Sequence, residues 1–149
     1  MKISTKGRYG LRALVDLVIN SRGEHISLSS IAERQNISEQ YMEQVFSTLR
    51  KAGIVNSVKG PRGGYTLSSQ ASHMKVSVIL EALEGDLSIA ENVTPGSEGD
   101  FNCIEYSITE LLWKRIDFAT KKILEETTLQ DLVDESLKRA AESSHMYYI

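Results

Sequence analysis

At 149 residues and 41% hydrophobic, the chain can bury one moderate core. It has no apolar run near the ~18 residues of a spanning helix, an N-terminus that turns amphipathic at once, and one cysteine; a cytoplasmic protein without disulfides or membrane contact is expected. The net charge of −3 is uneven: residues 1–70 carry ten Lys/Arg against five Asp/Glu, and residues 71–149 carry seven against fifteen. A basic front half joined to an acidic rear half predicts a polyanion partner for the front, unless the charges merely cluster by chance on solvated faces.

A first helix begins after Ser4 or Thr5, both good N-caps, and Leu11, Leu14, Val15 and Val18 mark its core-facing stripe. Ser21, Arg22 and Gly23 end it. A second, short helix runs through Leu28, Ile31 and Ala32, with Ser30 and Glu33 at capping-box spacing. Residues 35–37 turn, Ser38 caps a third helix, and Gly53 stops it. Two short helices joined by a tight turn form a helix-turn-helix. Met42, Val45, Phe46 and Leu49 lock the third helix to the core, which leaves Glu39, Gln40, Glu43, Gln44, Ser47, Arg50 and Lys51 facing out. Gln and Arg are the side chains that pair bidentately with adenine and guanine in a major groove. An ordinary solvated face looks much the same, and the segment after the helix distinguishes the two.

That segment contains V-K-G-P-R-G-G-Y, residues 58–65. Strands at 54–58 and 65–67 flank a tip in which Gly60, Gly63 and Gly64 permit unusual backbone angles and Pro61 fixes its own φ. Lys59 and Arg62 sit on that tip, as cations do on a wing that grips phosphate. Residues 68–72 form a polar hinge. Val76, Ile79, Leu80 and Leu83 make another brief helix stopped by Gly85, and residues 92–102 form a breaker-rich loop. From 108 to 124 comes the longest helical pattern, with Leu112, Ile116, Ala119 and Ile123 in a heptad seam and Leu111, Trp113, Phe118 and Leu124 widening it. Two apolar faces favour packing against a second subunit over folding back on one core. One more short helix starts at T-T-L-Q-D-L-V, and the M-Y-Y-I end suggests a docked tail. Three regions result: a DNA-binding domain at 1–70, a linking helix and effector-region loop at 71–103, and a dimerisation helix with tail at 104–149. The fold class is mainly α with a small β-hairpin wing, a winged helix-turn-helix plus a long dimerisation helix.

The opening M-K-I-S-T-K-G-R-Y-G, the central S-E-Q-Y-M-E-Q-V-F-S-T-L-R-K-A-G-I-V and the wing V-K-G-P-R-G-G-Y resemble the Rrf-two family of dimeric winged-helix transcriptional regulators from bacteria. The resemblance spans nearly the whole chain and implies a recognition helix at 38–52, a wing at 57–67 and a dimerisation helix near 108–126. It implies base-reading positions at Tyr41, Glu43 and Gln44, a groove-reaching wing cation at Lys59, and phosphate contacts at Lys6 and Arg8. With the exposed residues above, the expected DNA-binding set is Lys6, Arg8, Ser38, Gln40, Tyr41, Glu43, Gln44, Ser47, Arg50, Lys59 and Arg62. Two-fold symmetry implies a homodimer on double-stranded DNA carrying an imperfect palindrome.

One departure from the family matters. Its cluster-binding members carry three cysteines in the loop before the dimerisation helix; this chain has Cys103 alone, with Ser107 where the last of them belongs. An iron–sulphur centre needs mostly thiolates, and two subunits would bring two. His25, His73 and His145 show no metal-ligand spacing. No cofactor and no metal are expected. This resembles the family's cluster-free branch, as does the M-Y-Y-I tail. That likeness implies a repressor of cysteine or sulphur metabolism with a cysteine-synthesis enzyme as protein partner. The alternative is an iron–sulphur or redox-sensing regulator of the same family, in which Cys103 is redox active; a residual thiol is the blander reading. No phosphate-loop, zinc-protease or nucleophile-elbow motif occurs, so an enzyme is not expected. An adaptor that has lost DNA recognition is opposed by the intact helix face and wing.

Overall fold

A computed structural model describes residues 2–90 and 102–147 of the chain. Helix α1 spans Thr5–Ser21, with Ser4 as N-cap and its hydroxyl accepting from the Gly7 N–H at 3.3 Å. Its buried stripe is Ala13, Leu14 and Leu17, rotated from the one expected: of that set only Leu14 is fully buried, and Leu11, Val15 and Val18 flank the core. The rotation also carries Asp16 inward, which apolar periodicity alone does not register.

Helix α2 (Leu28–Gln35) is capped one turn earlier than the Ser30/Glu33 spacing suggests. Ser27 accepts from the Ser30 N–H at 3.3 Å, and the Ser30 hydroxyl donates back to the Ser27 carbonyl at 2.8 Å. Asn36, at φ 54°, turns the chain in the left-handed region that Asn tolerates. Ser38 then caps α3 (Glu39–Lys51) by accepting from the Tyr41 N–H at 3.2 Å. Met42, Val45, Phe46 and Leu49 have no exposed surface at all. At about 1.5–3 kcal/mol for each fully buried side chain, these four hold the short helix in place.

Strands β1 (Val55–Val58) and β2 (Gly64–Leu67) pair antiparallel, from Val55 opposite Leu67 to Val58 opposite Gly64. The expected hinge contains a 3-10 turn, Ala71–His73, whose first residue is buried. Helix α4 (Val76–Glu84) buries Val76, Ile79, Leu80 and Leu83 as its spacing predicts and ends at Gly85.

The long helix starts earlier than 108. Its first part, α5 (Cys103–Ile108), is capped by Asn102, so Cys103 opens the helix instead of lying in the loop before it. A π turn over Thr109–Trp113 leads without a break into α6 (Lys114–Glu126). The wider turn absorbs about one extra residue, which keeps Ile108 and Leu112, four apart, on the same side. The final helix, α7 (Leu129–Tyr147), has 19 residues and is not short. Thr128 and Asp131 cap it reciprocally at 2.9 and 3.1 Å, and Gln130–Asp134 and Glu135–Arg139 support its polar length at spacing four, where apolar period fades. Leu129 and Val133 fix its start in the core, and Leu11 and Val15 of α1 share a groove with its Leu132. Most of the expected loop at 92–102 and the end of the M-Y-Y-I tail lie outside the described residues.

Asp16 is the buried charge that joins α1 to α2. Its carboxylate accepts from Arg34 Nη2 at 2.7 Å and Nε at 3.0 Å, and from Gln35 Nε2 at 2.9 Å. The hydrogen bond from Arg34 to this carboxylate raises the guanidinium pKa, so its charge is constant across working pH. Removing a charged acceptor from such a set costs about 2–3 kcal/mol. Asp16→Ala is expected to lower the urea unfolding free energy by about that amount; an unchanged midpoint would mean that the network contributes nothing.

Candidate nucleic-acid interface

Helix α3 presents the polar face that its buried stripe leaves over. Gln40, Glu43, Gln44 and Arg50 are exposed and Ser47 is half-buried. Gln40, Gln44 and Ser47 lie at i, i+4, i+7, as do Glu43, Ser47 and Arg50, so the five share one side of the helix. Ser38 stands exposed at the helix start; its oxygen serves the cap, which leaves its hydroxyl hydrogen to donate. Tyr41 differs. It is half-buried, with its ring edge-on to Tyr9 of α1 at 5.9 Å. Arg12 lies over that Tyr9 ring at 5.1 Å and donates from Nη2 to the Gln35 carbonyl at 2.7 Å, closing the end of α2. Neither Tyr9 nor Arg12 stands out in the sequence, because their roles arise only when α1, α2 and α3 meet.

Val55 of β1 shares the buried core with the α3 stripe, and Tyr65 ties β2 to the same helix. The Tyr65 ring packs on Phe46 with centroids 5.0 Å apart, while the Tyr65 backbone exchanges hydrogen bonds of 2.8 and 3.0 Å with Ile26. Ile26 thus adds a single-residue third strand to the hairpin. Gly64 is required there, since a methyl group on its Cα would lie 2.3 Å from the Ile26 carbonyl oxygen. At the tip, Gly60 takes φ 116°, a conformation open to glycine, and the Gly63 N–H donates to its carbonyl at 2.9 Å. Lys59 and Arg62 are both exposed.

Lys6 and Arg8 lie in the first turn of α1, Lys6 half-buried and Arg8 exposed. Their position is set by Glu84 at the end of α4. Its carboxylate accepts from the Ser4 N–H at 3.0 Å and the Ser4 hydroxyl at 2.5 Å, so α4 grips the cap of α1.

A second surface lies on α5 and α6. Asp117, Thr120 and Leu124 turn toward α4 and the segment after it, Trp113 is half-buried, and Asp117 accepts from the Ile89 N–H at 3.0 Å. The other side keeps Ile104, Leu111, Phe118 and Ile123 between 63% and 74% exposed, along with Ile108, Leu112 and Ile116. The heptad seam read from sequence is therefore the outward side. Cys103 is exposed at its start. Among the described residues no group of His, Cys, Asp and Glu is arranged to hold a metal ion, and no helix is long and apolar enough to cross a membrane.

A family model, Rrf2, described as an iron-dependent transcriptional regulator, matches residues 3–135. The chain belongs to the Rrf2 family. It is 40% identical to the regulator CymR of Bacillus subtilis over 149 residues, the whole of both chains. The solved structure of that protein, described as the global cysteine regulator of B. subtilis, matches with a TM-score of 0.76 at 39% identity, over 91% of this chain and 98% of that one. The chain is likewise 39% identical to IscR of Cereibacter sphaeroides over 140 residues, 93% of this chain and 90% of that one. T. potens IscR matches by structure with a TM-score of 0.72 at 38% identity, over 91% and 88% of the two chains. As an Rrf2 protein this chain is a winged-helix transcriptional regulator and not an enzyme.

The close approach at Gly64 generates a test. Gly64→Ala is expected to push β2 off Ile26, costing about 1–3 kcal/mol as forced overpacking does. Hydrogen exchange should show faster exchange at the Ile26 and Tyr65 amides. Unaltered protection there would contradict the bracing described.

Proposed function

We propose that the protein is a homodimeric repressor that reads an imperfect palindrome in double-stranded DNA and controls genes of cysteine or sulphur metabolism. The observation that carries the DNA-reading part is the joining of an exposed Gln/Glu/Arg helix face to a basic wing through Phe46 and Tyr65. In this reading Gln40, Tyr41, Glu43 and Gln44 of α3 meet base edges. Ser38, Ser47 and Arg50 contact edges or backbone beside them. Lys6, Arg8 and Arg62 meet phosphate, and Lys59 enters the neighbouring groove. Glu43 accepts from cytosine and repels acceptor-rich edges, so it discriminates in both senses.

The outward apolar seam at Leu112, Ile116, Ala119 and Ile123 supports a two-fold dimer, which sets two recognition helices about one helical turn apart on the duplex. Full-length similarity to CymR, described as a global cysteine regulator, supports the choice of regulon; a cysteine-synthesis enzyme as partner is proposed only on the resemblance to the family's cluster-free branch.

The donor set bears on the iron dependence in the family description. With one cysteine per chain, four thiolate-rich ligands cannot be assembled even by a dimer, so the reading here is cluster-free. A redox-sensing variant of the same function rests on the exposed thiol of Cys103.

Lys59→Ala with Arg62→Ala removes two cations from each wing and should flatten the slope of log affinity against log salt by roughly 2 per engaged subunit; an unchanged slope would place the wing off the DNA. Ile116→Asp with Ile123→Asp should yield monomers in sedimentation equilibrium and cost about 10²- to 10⁴-fold in affinity for a two-half-site duplex. A variant that remains dimeric would remove the seam from the interface.

A further inference from the structure

The tip of the wing has little to hold it. Residues 59–63 close on themselves through the bond from Gly63 to Gly60, and their two cations project into solvent. Among the described residues, one hydrogen bond reaches this tip from outside the hairpin. It comes from His25, whose ring Nε2 donates to the carbonyl of Arg62. A carbonyl only accepts, so Nε2 is the nitrogen that carries the hydrogen.

His25 is itself well anchored. Arg22 and Gly23 turn the chain after α1, with the Glu24 N–H on the Ser21 carbonyl at 2.6 Å. The next residue, Ile26, is paired through both its N–H and its carbonyl with Tyr65, and Ser27 caps α2. Residues 25–27 therefore form a short rail between the helix-turn-helix and the hairpin. Ile26 holds β2 at Tyr65, two residues beyond the tip, and His25 holds the tip itself.

The geometry points to His25 as a positioning residue for DNA recognition. It fixes the carbonyl of Arg62, and with it the angle at which Lys59 and Arg62 approach the duplex, without touching nucleic acid itself. The inference rests on the reading of the wing as a DNA contact. Its consequence is energetic: a tip already ordered in the free protein loses less freedom on binding, and its cations arrive in register with the recognition helix.

The test is a set of anisotropy titrations against one labelled duplex, the palindrome-bearing genomic fragment that the wild-type protein selects. His25→Ala should weaken binding about five- to tenfold, the size of one side-chain ordering penalty. His25→Gln, which keeps an amide donor of similar reach, should restore most of it. In a background already carrying Lys59→Ala and Arg62→Ala, His25→Ala should cost nothing further, because no cations remain to be aimed. Equal losses in both backgrounds would show that His25 acts through general stability and would overturn the proposal, as would failure of the Gln variant in a protein that melts like wild type. Should the Lys59/Arg62 pair itself prove neutral, the wing reading fails, and the role of His25 with it; a neutral His25→Ala beside a damaging wing variant would overturn the role of His25 alone.

Discussion

Phe46 and Tyr65 meet where the hairpin packs on α3, and the relation between the helix face and the wing depends on that contact. Phe46 belongs to the fully buried stripe of α3, so it cannot move without disturbing Met42, Val45 and Leu49. Tyr65 belongs to β2, pairs with Ser57 on one side and Ile26 on the other, and sets its ring against Phe46 at 60°. An aromatic pair of this kind contributes about 0.5–1.5 kcal/mol beyond its burial. Its larger effect is geometric. A helix whose outer face offers Gln and Arg, and a hairpin whose tip offers Lys and Arg, become one continuous surface, the one proposed to read DNA.

The two surfaces of the chain are separated by construction. The proposed reading surface draws on α1, α3 and the hairpin, and the apolar seam runs along α5 and α6. Helix α4 lies between them. Leu80 and Leu83 are buried in the body, Glu84 grips the cap of α1, and Ser77 and Glu81 line a cavity of about 400 Å³ against Asp117, Thr120 and Lys121 of α6. The charge asymmetry of the sequence divides at the same place: the basic half contains the proposed reading surface, and the acidic half contains the seam.

Much of this is legible in the sequence alone. The stripe of α3 is unambiguous because a 13-residue amphipathic helix with four large apolar residues has one way to bury them. The wing is legible because glycine and proline restrict the chain locally. Other features depend on groups far apart in sequence. Asp16 reads as an interruption in an apolar helix until Arg34 and Gln35 fold against it, although a lone Asp between Leu14 and Leu17 is a signal that a buried partner exists. Ser27 is hidden as a cap because Ser30 offers better motif spacing. The length of α7 is hidden because it rests on polar pairs at spacing four, not on an apolar period. The candidate site divides in the same way. Exposed polar residues of α3 and the wing can be read from periodicity, while Tyr9, Arg12, Ile26 and His25 act only through tertiary contact.

The claim that all of this serves sequence-specific DNA recognition is tested most directly by incubating the purified protein with fragmented genomic DNA of its source organism and sequencing what it retains. The account predicts enrichment of one imperfect palindrome, its half-sites about one helical turn apart, upstream of a coherent set of genes. Retention proportional to fragment length alone, with no shared sequence, would contradict it.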